Sequence, residues 1–172
     1  MMTNFKLDPV HSNVEFSIKH LMVSKVKGEF TEFDGQATGD INDLTSLQLT
    51  ASVKVDSINT NNADRDGHLK SADFFDVEKY PEIKFVSKSI TQNKITGDLT
   101  IKDQTHEETF DLEFNGVHKN PMDGSSVTGF IVNGSVNREK YGINFNQALE
   151  TGGVMIGKEA KFEVNAEFAI EE

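Results

Sequence analysis

Cysteine is absent from the 172-residue chain, which excludes disulfides, thiolate metal sites and a cysteine nucleophile together. Tryptophan is also missing, and two tyrosines stand against thirteen phenylalanines, so the aromatic side chains supply apolar volume with almost no polar handle. Basic residues are few: 17 Lys and Arg against 28 Asp and Glu, a formal net charge of -11 with histidines neutral. With no local basic patch, that balance argues against nucleic acid or an anionic membrane as a main partner. Long hydrophobic runs are lacking too. Residues 1–10 hold no apolar core of the length a secretory signal needs, and no later window approaches a membrane span. These absences predict a soluble cytoplasmic protein without stable membrane insertion. Low-complexity sequence is absent, and a hydrophobic content of 36% fits one domain over residues 1–172 with its own core.

The patterned stretches are β in type. Val14, Phe16 and Ile18 alternate with Glu15, Ser17 and Lys19, the period of two expected when one strand face is buried and the other is wet. That strand ends near His20. A second pattern runs from Val26 past Phe33 to Gly39, with Gly28 and Gly35 as candidate bends. Residues 42–46 read as a turn, and Leu47, Leu49, Ala51, Val53 and Val55 then give the cleanest amphipathic strand. Ile83 and Phe85, Ile95 to Ile101, and Phe110 to Phe114 predict a three-strand meander, with hairpin turns at Gln92-Asn93 and Asp103-Gln104. After a turn-rich loop at residues 120–125, residues 127–136 and 162–170 supply two more strands, while residues 141–158 read as a loop or lid. About eight strands, one irregular insertion and no repeat favour a closed antiparallel barrel, which leaves no exposed edge, over a sandwich.

Residues 59–85 interrupt this pattern with charge, histidine, glycine and paired phenylalanines. Asn62 to Gly67 echoes the start of a calcium loop, with Asp73 at its twelfth position. Asn in first place, Lys70 in ninth and strands where helices should flank it argue for a short helix capped by Asn62 or Asp64 instead. Arg65 and Leu69 then lie one turn apart beside His68, with Arg65 either neutralised by Asp66 or Asp73 or offered to a ligand. Catalytic signatures are missing: there is no nucleophile elbow, zinc-protease motif or phosphate loop. His11 and Ser12 are neighbours whose side chains would point to opposite strand faces, so they read as a structural pair. No metal site and no cofactor are expected.

The segments D-P-V-H-S-N-V-E-F-S-I-K-H (8–20), V-K-G-E-F-T-E-F-D-G (26–35), R-D-G-H-L-K-S-A-D-F-F-D-V-E-K-Y-P-E-I-K-F (65–85), G-D-L-T-I-K (97–102) and N-R-E-K-Y-G (137–142) resemble the YceI-like family of polyisoprenoid-binding, lipocalin-like proteins. The resemblance implies an extended eight-stranded antiparallel lipocalin-like barrel with a short helical insertion. It also implies a homodimer and an apolar tunnel for an isoprenoid or other amphiphilic lipid.

On this basis the expected function is non-enzymatic binding, storage or transport of a long apolar or amphiphilic small molecule. Phe16, Ile18, Phe30, Phe33, Phe74, Phe75, Phe85, Phe114 and Phe130 are the candidate tunnel lining. Arg65, His68 and Arg138 are the candidate contacts for a polar head. Two alternatives stand beside it: a hydrolase or isomerase acting on a lipid head group at the barrel mouth, and a solid barrel used for protein contact.

Overall fold

A computed structural model describes residues 3–21, 23–143 and 156–171. Strands β1 (Thr3–Leu7), β2 (Asn13–His20), β3 (Ser24–Phe30), β4 (Phe33–Gly39), β5 (Gln48–Lys54) and β6 (Ile58–Asn59) precede helix α1 (Ala63–Lys70). Strands β7 (Glu82–Ile90), β8 (Lys94–Ile101), β9 (Gln104–Lys119), β10 (Ser126–Asn137) and β11 (Ile156–Glu171) follow it.

The register reduces eleven strands to eight rows. β11 is long enough to pair with β2 through Asn165↔Asn13 and with β1 through Phe168↔Leu7, so β1 and β2 are two parts of one row. β3 and β4 share the next row, broken at Thr31 and Glu32, and β5 and β6 share the third. β7 to β11 complete the circuit, every neighbour antiparallel, and the β1–β11 pairing closes it. The fold is a closed eight-row, up-and-down antiparallel barrel with one short helix.

Strict up-and-down order sorts the connections. At one end, called upper here, lie the β2–β3 turn, the segment carrying α1, the β8–β9 turn and residues 138–143 leading towards β11. The lower end carries residues 40–47, 91–93 and 120–125. It is plugged by apolar side chains, with Phe5, Leu44, Ile90 and Phe168 all buried. Leu44 comes from a single 3-10 turn whose Asp43 cap accepts from the Thr45 N–H, a stop that holds the turn against the barrel floor.

Alternation places Val14, Phe16 and Ile18 of β2 on the inner face, opposite Phe30, Gly28 and Val26 of β3 and Val164, Phe162 and Ala160 of β11. Glycine has a particular use here. A Cβ on Gly28 would stand 2.5 Å from Phe16 Cζ, one on Gly97 2.6 Å from Phe85 Cζ, and one on Gly134 2.7 Å from Phe110 Cδ1. Each ring lies over bare backbone of the adjacent strand. Any side chain at those glycines would drive the ring towards the barrel axis, because real Cβ contacts are never so short.

The expected strands are all found, but some run well past the stretch that the apolar pattern marks: β9 spans Gln104–Lys119 around the predicted 110–114, β7 continues to Ile90, and β11 begins at Ile156 where 162 is predicted. Three further differences stand out. β1 lacks any counterpart in the pattern reading. The bend expected at Gly28 or Gly35 falls between them, at Thr31 and Glu32, because both glycines are paired inside their strands. The turn expected at Asp103-Gln104 sits at Lys102-Asp103, where Lys102 takes a φ of 58°. Of the lid expected over 141–158, residues 144–155 lie outside the described residues, and residues 156–158 open β11.

Candidate binding cavity

The barrel encloses a cavity of about 460 Å³, of the size that holds a small-molecule ligand. Its wall takes inward positions from every row: Phe16 and Ile18 of β2, Phe30 of β3, Phe33 of β4, Leu49 of β5, Phe85 of β7, Leu99 of β8, Phe110 of β9, Phe130 of β10 and Phe162 of β11. The rings meet edge to face or tilted. Phe16 and Phe30 have centroids 5.4 Å apart, Phe30 and Phe75 6.3 Å, Phe85 and Phe110 6.1 Å, and Phe110 and Phe162 4.7 Å. These are favourable separations for aromatic pairs, so the wall holds its shape around the space.

Of the residues predicted to line a tunnel, Phe16, Ile18, Phe30, Phe33, Phe74, Phe75, Phe85 and Phe130 border this cavity, and Phe114 does not. Phe114 is on the inner face, but it stacks on Phe130 with centroids 5.3 Å apart and planes at 30°, so Phe130 stands between it and the space. The pattern reading overlooked Phe110 and Phe162, although their parity was available.

Helix α1 has the predicted cap: the Asn62 side chain accepts from the Arg65 N–H at 3.0 Å. Arg65 finds neither of its expected carboxylate partners. Its Nε donates to Thr60 Oγ1 at 2.8 Å and its Nη2 to the Thr60 carbonyl at 2.7 Å, while Asp66 Oδ1 accepts from the same Thr60 N–H and hydroxyl. Asp73 goes to His68, whose Nε2 is 2.9 Å from its Oδ2, and the His68 ring meets Phe74 edge-on at 5.0 Å. The helix therefore sits over the upper end of the cavity, with Arg65, His68 and Leu69 in its wall.

Arg138 faces the same cavity from the other side of the upper end and is 6% exposed. It opens a 3-10 turn, Arg138–Tyr141, that ends at Gly142 with a left-handed φ of 83°, a conformation that favours glycine. Its guanidinium donates to three backbone carbonyls: Nε to Gly157 and Nη1 to Ile143, both at 2.8 Å, and Nη2 to Ile156 at 3.4 Å. Burial lowers its pKa from the usual arginine value.

The turn is pinned to β9 by contacts that nothing in the sequence signalled. The fully buried Tyr141 donates its hydroxyl to Glu108 Oε2 at 2.6 Å. Lys140 Nζ lies 3.6 Å from Glu108 Oε1, and the His106 ring packs edge-on against Tyr141 at 4.9 Å. Burial first, and the Glu108 carboxylate second, push the Tyr141 phenol above its ordinary range, so it remains a donor.

His11 and Ser12 part as alternation requires. Ser12 Oγ accepts from the Glu167 N–H at 2.9 Å inside the β1–β2 junction, while the exposed His11 turns to Asp8, Nδ1 to Oδ2 2.8 Å, with Glu167 Oε2 at 3.5 Å. These three side chains are the one grouping of metal-ligating type among the described residues.

An up-and-down barrel around an apolar, Phe-rich space defines a protein of the internal-cavity barrel class. Within that class the chain belongs to the YceI-like family, whose domain matches residues 5–168. A UPF0312 protein of Staphylococcus epidermidis is 65% identical over 170 residues, covering 99% of both chains. The crystal structure of a Campylobacter jejuni YceI protein superposes with a TM-score of 0.75 at 31% identity, covering 90% of each chain. A polyisoprenoid binding domain from Saccharophagus degradans, implicated in plant cell wall breakdown, shares the fold with a TM-score of 0.65 at 10% identity, over 96% of this chain and 97% of that one. No helix among the described residues is long and apolar enough to cross a membrane.

Proposed function

We propose that this protein binds, stores or transports a long-chain isoprenoid or another amphiphilic lipid, without catalysis, as one barrel domain. The chain would occupy the cavity and the polar head would sit at its upper end beside Arg65, His68 and Arg138. The observation that carries this reading is the cavity of about 460 Å³ walled by inward phenylalanine and aliphatic side chains. Each methylene moved from water into such a space contributes about 0.8 kcal/mol, so a long chain needs few polar contacts to be held. The polyisoprenoid-binding description of the Saccharophagus degradans domain supports the same ligand class. A continuous cavity also weighs against the solid barrel.

Protein isolated under native conditions is expected to release a copurifying apolar molecule on denaturation in the mass spectrometer, and stripped protein to bind added polyprenyl compounds. Empty protein that also refuses those compounds would overturn the reading. Turnover of a prenyl pyrophosphate that disappears in His68→Ala would assign the hydrolase or isomerase instead. Cytoplasmic residence and a homodimer complete the proposal; fractionation and sedimentation read them directly.

A further inference from the structure

Strand pairing gathers lysines on the outside of the barrel that the linear sequence keeps apart. Phe16, Ile18, Val26 and Phe162 point inward, so Ser17, Lys19, Lys25, Lys27 and Lys161 stand on the outer face of β11, β2 and β3. The register sets Lys19 directly opposite Lys25, and Ser17 between Lys27 and Lys161. All four lysines are exposed, and none has a salt-bridge partner among the described residues. Towards the lower end the next outward position on each strand is an acid, with Glu163, Glu15 and Glu29 side by side. In a chain with 28 acids against 17 bases, this sector of the upper rim is positive. Lys158 and Glu159, exposed at the start of β11, offset each other. The acids Asp64, Asp66, Asp73 and Asp76 belong to the segment carrying α1, so the positive face is this one sector and not the whole end.

The β2–β3 hairpin that carries Lys19, Lys25 and Lys27 ends in exposed apolar side chains. Val23 is 85% exposed and Leu21 41%. Leu21 holds a φ of 53°, a left-handed turn position that ordinarily goes to glycine or asparagine. Like charges directly opposite weaken a strand pair, and an apolar side chain left in water gains nothing from burial. Guarding an open edge accounts for part of this: β6 meets β3 only at Glu29 and Phe30, and edge lysines discourage unwanted pairing. It does not account for Lys19 and Lys161, whose strands are paired on both sides.

We propose that this hairpin is a peripheral docking face for an anionic lipid bilayer. Leu21 and Val23 enter the headgroup layer, and Lys19, Lys25, Lys27 and Lys161 lie against the anionic lipids. An acidic protein would match the charge, but an isolated apolar tip ahead of the cations suits a bilayer, which accepts single side chains without a shaped pocket. Docking goes beyond the chain-binding reading and does not depend on it; it sets the upper end of the cavity against the membrane.

The test is co-flotation of the full-length protein with vesicles of phosphatidylcholine alone and of phosphatidylcholine mixed with phosphatidylglycerol, at low salt. Binding is expected to the mixed vesicles only, and to be released by raised salt. The double variant Lys19→Glu, Lys25→Glu is expected to lower partitioning at least about tenfold. Lys19→Glu alone replaces a like-charge cross-strand pair with an opposite one, so binding should fall while the melting temperature holds or rises. Lys119→Glu makes the same charge change at an exposed site at the lower end of β9 and should leave binding intact. Because the chain has no tryptophan, Val23→Trp is a single reporter, expected to shift to the blue and to be quenched by brominated lipid. Met122→Trp, at a lower-end position 91% exposed, is expected to show neither change. Absence of co-flotation with the mixed vesicles, an equal loss in Lys119→Glu, or equal quenching of the two tryptophans would overturn the proposal. A copurifying lipid, or its absence, bears on the cavity and leaves the vesicle result as it stands.

Discussion

The two ends of the barrel are built for different purposes. The lower end is closed by short connections and by side chains that bury one another: Phe5 is 4% exposed and Phe168 3%. At the upper end the inward residues of β2 and β11, Phe16, Ile18 and Phe162 among them, are only half-buried where they face the cavity, whereas at the lower end Phe5 and Leu44 lie outside its wall and the buried Ile90 and Phe168 form its floor. The charged groups follow the same division: Arg65, His68 and Arg138 stand at the upper end. One sheet, one parity and similar residue types thus give a floor and a chamber. What separates them is whether the space opposite each inward side chain is filled.

The sharpest break of this comparison is to delete one ring at each end. Phe5→Ala empties a fully packed site and is expected to cost about 3–5 kcal/mol of stability in urea denaturation. Phe16→Ala removes a ring already bordering empty space, and its cost is expected to be less than half of that, with the deficit appearing in ligand affinity instead. Equal losses at the two positions would mean that the upper half is packed as tightly as the floor.

A smaller effect is expected from filling the space that a glycine leaves. In Gly134→Ala the new methyl meets only the Phe110 ring, which can swing inward at about 1–3 kcal/mol, the range for overpacking. The ring would then occupy part of the chamber. Ligand binding should weaken while the fold persists, and a crystal structure should show Phe110 turned towards the axis. Gly97→Ala is the control, since its methyl also meets the Val86 carbonyl, which cannot rotate away. If Gly134→Ala binds an apolar ligand as well as the parent does, the glycines do not keep the chamber open.

Much of the chamber was legible in the period-two pattern, and its limits are physical. Alternation marks which side chains point inward, so Phe16, Ile18, Phe30, Phe33, Phe85 and Phe130, six of the nine residues expected in the tunnel wall, border the cavity from strands, while Phe74 and Phe75 reach it from the segment after α1. It carries no depth along the barrel axis, and so it could not separate Phe114, stacked behind Phe130, from Phe110. β1 escaped notice because five residues with Phe5 and Leu7 as their apolar members are too short to display a period. Gly28 looked like a bend when its actual use is to make room for Phe16, a relation that exists only once β2 and β3 are paired. Arg65 was matched to nearby carboxylates because sequence distance was all there was to judge by. The Tyr141–Glu108 hydrogen bond joins residues far apart in the chain, and no local signal could announce it.

The least energetic prediction concerns the junction where β1, in the lower half, hands over to β2, in the upper. Asp8 and His11 meet there on the surface, beside Glu167. The Asp8 hydrogen bond, then its charge and that of Glu167, raise the His11 pKa from 6.5, and the His11 hydrogen bond lowers that of Asp8 from 3.8. The two groups contribute with opposite pH dependence. The histidine's share is complete below 6.5 and fades as pH rises through its higher folded value; the aspartate's is complete above 3.8 and fades as pH falls through its lower one. The pair therefore holds the junction best between those two ordinary values. A proton NMR titration of the His11 ring should give a midpoint above 6.5, and Asp8→Asn should bring it down towards that value. A midpoint at or below 6.5 in the parent protein would show that the contact does not persist in solution, and that the backbone bond from Asp8 to the Glu167 carbonyl at 2.8 Å and the Ser12 hydroxyl hold the junction without it.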